Sequence, residues 1–153
     1  MTNTRTLRLT VGALAFCALS GAGCRNDTTA PTVSLAYAAA MQSCGPADGP
    51  AVTILLSENA DVTSQSPSYP LVRVMIWRSL AEARGKQIVL TGDNGFAGFV
   101  PSTNGEAAVA SGSITLDAGT NAVTGMLDLT FPNRAPLRGR FAAVWLERTI
   151  LCG

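Results

Sequence analysis

Residues 122–131 read AVTGMLDLTF. Taken alternately, Val123, Gly125, Leu127, Leu129 and Phe131 fall on one side of an extended chain, and Thr124, Met126, Asp128 and Thr130 on the other. That is the period of a half-buried strand, apolar toward a core and mostly polar toward water. Before it lies GSITLD (112–117), joined by the turn AGTN, and after it LRGRFAAVWLER (137–148), joined by the turn PNRAP. Pro132 and Pro136 fall outside the strands, where a missing N–H costs no ladder bond. Three successive strands on short turns make an antiparallel meander. In the last of them Phe141, Ala143 and Trp145 extend the apolar layer while Arg138 and Arg140 look outward.

The same period recurs upstream. YPLVRVMIWRS (69–79) sets Val72, Val74 and Ile76 opposite Arg73, Met75 and Trp77, and AVTILLS (51–57) is a short apolar run. Between the strands YPLVRVMIWRS and KQIVLTG (86–92), the stretch SLAEARG carries Ser79 and Glu82 at capping-box spacing and Gly85 to end the turn, which predicts one helical turn. Asp93-Asn94-Gly95 and Asn104-Gly105 are turn signals, because asparagine and glycine accept positive φ. The first also has the start of a calcium loop, but the alternating ligands and closing glutamate of an EF-hand are missing, so a plain turn is expected. The pattern predicts one all-β domain over residues 51–153, about seven or eight antiparallel strands in a sandwich or partly closed barrel. An immunoglobulin-like sandwich is the second choice, since Cys44 and Cys152 lie at the domain's ends rather than on either side of a core tryptophan. Residues 24–50, beginning with NDTTAPT (26–32), read as a tether, within which SLAYAAAMQ (34–42) suits a short helix or a strand.

The chain has 153 residues, 47% of them hydrophobic and 14% charged, with a formal net charge of +1. One folded unit with a real core fits that length and composition, and the charge balance gives no footprint for nucleic acid. Histidine is absent, which removes the commonest general base and metal ligand. Lys86, the only lysine, follows no Ser-x-x-Lys spacing, and there is no Gly-x-Ser-x-Gly elbow and no phosphate-cradling glycine loop. Asp93, Glu106, Asp117 and Asp128 could supply a carboxylate pair, but they sit in turns or on polar strand faces, where solvation and capping account for them. No enzyme activity, cofactor or metal is expected.

At the N-terminus Arg5 and Arg8 precede an apolar run from Leu9 to Gly23, the layout of a signal peptide. The run falls short of the roughly 20 residues that cross a bilayer as a helix. Its ending, Gly21-Ala22-Gly23-Cys24, resembles the lipobox of bacterial lipoproteins, with glycine where that family favours leucine three residues before the cysteine. The resemblance implies cleavage after residue 23 and acylation of Cys24, and Arg25 behind it implies outer-membrane sorting in a diderm host. An ordinary secretory signal with a plain thiol at Cys24 is the alternative. The carboxyl half, with GSITL, VTGMLDLTF and LRGRF in that order and a terminal cysteine, is similar to small bacterial lipoprotein domains over about residues 86–146. That similarity implies a fold and an address in the cell envelope, not an activity.

The chain has 4 cysteines. Cys17 leaves with the leader and Cys24 takes lipid, so Cys44 and Cys152 remain, and in an oxidising compartment they read as one disulfide; two separate thiols are the alternative. The only concentration of charge is Arg134, Arg138 and Arg140, candidates to hold an anion or ligand if they share a face, or else a solvated outer strand face. Loss of the leader removes Arg5 and Arg8, so no global positive field reinforces them. The function expected is that of a membrane-anchored, non-catalytic binding or structural module recognising an envelope protein or glycan. An exposed apolar patch around Met75 or Trp77 would mark it. The alternative is a carrier of a small apolar ligand in a barrel cavity, and an envelope enzyme ranks last.

Overall fold

The computed structural model describes residues 36–63, 69–105, 108–119 and 122–152. Eight strands follow in chain order: β1 (Tyr37–Cys44), β2 (Pro50–Ser57), β3 (Leu71–Ile76), β4 (Gln87–Val89), β5 (Gly95–Val100), β6 (Ala108–Leu116), β7 (Val123–Thr130) and β8 (Leu137–Leu146). One helical turn, α1 (Leu80–Ala83), separates β3 from β4. The fold is all-β.

Neighbouring strands run β6–β5–β3–β2–β1–β8–β7, and a further β6–β7 pairing closes these seven into a barrel. The remaining strand, β4, lies outside the ring on β6. Closure leaves no edge strand within the ring, and the three-residue β4 is the one edge strand among the described residues. Every step round the ring is antiparallel except β1–β8, which is parallel through Ala39↔Val144, Ala40↔Trp145 and Met41↔Leu146. Parity explains this departure from the antiparallel expectation. In an up-and-down ring with an odd number of strands, the first and last point the same way, so their contact must be parallel.

The expected boundary at residue 51 is corrected by β1, which pairs with β2 along its whole length, from Tyr37↔Ser57 to Cys44↔Pro50. The folded unit therefore takes in residues the sequence reading gave to the tether. The reason is burial on both faces. Ala38 and Ala40 join the barrel interior, whereas Ala39 and Met41 pack outward with Leu55, Leu71 and Val100 beneath Val62 of the 3-10 turn Ala60–Thr63. A strand covered on both sides shows no alternation, and its alanines match no strand signature. The run of β2 is continuous for the same reason.

Elsewhere the period holds. The interior is filled by Val52, Ile54 and Leu56 of β2, Val72, Val74 and Ile76 of β3, Ile114 and Leu116 of β6, Leu127 and Leu129 of β7, and Phe141 of β8. These side chains are at most 6% exposed and fill the interior of this small barrel as a packed core. Gly125 makes one contact possible: a Cβ there would strike the Thr115 carbonyl oxygen, and the ring of Phe141 lies 3.1 Å from the same point. Gly112 (φ 145°) sits where β6 passes from β5 to β4 as partner, and its carbonyl accepts from the Leu90 N–H at 2.9 Å. The capping box forms as expected: the Ser79 hydroxyl accepts from the Glu82 N–H, and the Glu82 carboxylate accepts from the Ser79 N–H at 3.0 Å.

Candidate functional site

Hollows of two kinds open on the barrel among the described residues. The first is its mouth, about 390 Å³, where β2, β5 and β7 end and β3 and β8 begin. Leu56, Val72 and Leu137 are core residues that also line it. Phe99 and Phe131 stand edge to face at 6.4 Å and 80°. Asn133 takes left-handed backbone (φ 59°), which asparagine tolerates, and the turn carries the Arg134 guanidinium over the Phe99 ring, 3.7 Å from its centroid. Buried Ser57 braces the far side, donating to the Pro70 carbonyl at 3.2 Å and accepting from the Asn59 N–H at 3.1 Å. Exposed Glu58 and Asn59 also line this mouth.

The second hollow, about 430 Å³, lies on the barrel's side. Its walls come from the outward face of β3 (Met75, with Trp77 just beyond), from Phe96 of β5 and from Val109 of β6. Two contacts fix the tryptophan. Its backbone N–H donates to the Asn94 carbonyl at 3.1 Å, and a Cβ at Gly45 would stand 3.3 Å from the indole Cδ1, so glycine there lets the ring sit close without being pushed aside. No charged, hydroxyl or amide side chain is among the lining residues. Cys44 borders this hollow and stands at disulfide distance from Cys152, with the Cα atoms 5.6 Å apart.

The three arginines do not converge. Arg138 and Arg140 lie on the exposed outer face of β8, where each meets a carboxylate: Arg138 Nε to Asp128 Oδ1 at 2.7 Å and Arg140 Nη2 to Asp117 Oδ2 at 2.6 Å. Asp128 and Arg138 are direct cross-strand partners, so the ladder itself brings them together. Arg134 alone reaches a hollow. Of the carboxylates considered for acid–base chemistry, Asp117 and Asp128 are thus engaged in ion pairs, exposed Asp93 lies in a turn, and Glu106 falls outside the described residues, as does Cys24. Among the described residues no group of three or more His, Cys, Asp or Glu side chains could hold a metal, and no helix is long and apolar enough to cross a membrane.

Sequence reasoning passed over Phe96 and Phe99. Their spacing carried the signal, because residues three apart on a strand point to opposite faces, so GFAGFV sends one ring to each hollow. Comparison with protein-family models, curated proteins and solved structures finds no match to this chain.

Proposed function

We propose that this chain is an exported, non-catalytic binding module, held at a bacterial envelope membrane by acyl chains on Cys24, that presents its side hollow to an apolar segment of an envelope protein. In a diderm host the address is the outer membrane. The observation that carries the binding role is the contrast between a filled barrel and an open hollow at Met75, Trp77 and Phe96 whose lining is apolar. Apolar surface left concave and open is typical of interaction sites, and methionine adapts to varied partners. A glycan needs many hydrogen bonds, which these side chains do not supply. The support for the address is in the sequence: the basic and apolar leader, the small residues before Cys24, and a second cysteine pair suited to an oxidising compartment. More than one acyl chain, at about 0.8 kcal/mol per buried methylene, would make the anchor stable.

Two measurements test this reading. Intact-mass analysis of the membrane fraction should find a chain that begins at Cys24 and carries acyl mass; a bare chain starting elsewhere overturns the anchor. A photo-crosslinking residue at position 75 should capture a discrete envelope protein, and the adduct should fall severalfold in a Phe96→Ala background. Equal capture from position 144, an exposed apolar position on β8, would overturn the assignment of the side hollow.

A further inference from the structure

The barrel mouth has a different chemistry from the side hollow, and its chemistry points to a ligand with two unlike parts. Its floor is the end of the hydrophobic core, and its volume falls within the range usual for small-molecule sites. Its wall is a pair of aromatic rings. One cation is held against that wall: the Arg134 guanidinium carbon lies 3.7 Å from the Phe99 ring centroid, and its N–H groups form a planar donor fork of the kind that suits a carboxylate. Unlike Arg138 and Arg140, Arg134 meets no carboxylate among the described residues. Glu58, the acidic residue lining the mouth, is exposed, and its carboxylate makes no ion pair with Arg134.

We propose that the mouth binds a single-chain carboxylate amphiphile, its hydrocarbon chain along Phe99, Phe131, Val72 and Leu137 and its carboxylate in the fork of Arg134. Stacking on Phe99 holds the guanidinium in place before the ligand arrives, so little side-chain entropy is lost when the paired hydrogen bonds form. The topology supplies a source for such a ligand. Tyr37, the first residue of β1, pairs with Ser57 at this mouth, so the chain leading from Cys24 joins the barrel at the same end. In this respect alone the proposal draws on the lipid-anchor reading, which would turn the mouth toward the membrane, where single-chain amphiphiles partition.

Photolabelling of the full chain in its native membranes or culture fraction tests the proposal whether or not Cys24 is acylated. The probes are decanoate carrying a diazirine in its chain, and the alcohol and amine of the same length. Peptide mapping should place decanoate adducts at residues 56–58, 70–72 and 131–137. Arg134→Gln should lower decanoate labelling there about tenfold while leaving alcohol labelling as it was. Lys86→Gln, which removes the same charge far from the mouth, should change neither. Ala135→Trp, at an exposed position lining the mouth, should block all three probes without entering the core. Decanoate labelling unaffected by Arg134→Gln, an amine that labels as well as the carboxylate, or adducts concentrated at Met75 and Phe96 would each overturn the proposal. The fraction in which the protein is found reports separately on the anchor.

Discussion

Gly125 and Phe141 face each other across the β7–β8 ladder, and their pairing sets how tightly the meander closes on the core. Since a Cβ at position 125 would meet both the Thr115 carbonyl and the Phe141 ring, Gly125→Ala must displace a strand or an aromatic side chain. We expect it to lower the free energy of unfolding by about 1–3 kcal/mol in urea titration. The outer face of the same ladder behaves differently. Arg138 and Asp128 are each more than half exposed, with side-chain exposures of 56% and 52%, so solvent screens their attraction. A double-mutant cycle with Arg138→Ala and Asp128→Ala should return a coupling below about 1 kcal/mol, which urea midpoints can resolve. Both faces were legible in the alternation of residues 122–131. The Arg138–Asp128 pair was not, because it depends on which residue of β8 stands opposite which residue of β7.

Among the elements, α1 shows how local chemistry is written in local sequence. Ser79 and Glu82 cap each other, and hydrogen bonds to the Ser79 hydroxyl and backbone N–H, aided by Lys86 and Arg78, hold the exposed Glu82 carboxyl below the usual carboxylate range. A carboxyl lowered in the folded state favours folding at neutral pH, and that contribution fades as acidification passes through its lowered value. In an NMR titration Glu82 should therefore protonate later, on acidification, than an ordinary glutamate, and Ser79→Ala should move it back up. The strand β1 is the opposite case. Its alanines carry no helix cap and no alternation, and what makes it a strand is its place between β2 and β8 with Val62 over its outer side. Tertiary cover can override a weak local preference in this way.

For the molecule as a whole, one seam of the ring is the parallel contact between its first and last strands, where three residue pairs join β1 to β8, as few as join β5 to β6. Cys44 ends β1, and Cys152 follows β8 at a separation of 108 residues, so a bond between them fastens both sides of the seam. Cross-linking a loop of that length restricts the unfolded chain enough to stabilise the fold by about 4–5 kcal/mol on the chain-entropy account. Cys152→Ser, or reduction of the wild-type chain, should lower the unfolding free energy by about that amount. Urea unfolding with and without reductant measures it, and identical midpoints would mean that the thiols are not joined. The closeness of Cys44 and Cys152 was expected from the sequence on the reading that gives Cys17 to a leader and Cys24 to a lipid anchor.

The amino-acid pattern determined by itself the strand periods of the meander and of β3, the capped turn and the all-β class. Each depends on neighbours along the chain or on simple counting. Only the tertiary structure decided that the sheet closes, that its first and last strands pair in parallel, that residues 37–44 belong to the barrel, and that hollows of different chemistry open on it. Those features are set by contacts between residues far apart in sequence. An aromatic ring from β5, a turn after β7 and the end of β2 share no local pattern, and become one site only when the ring of strands brings their ends together.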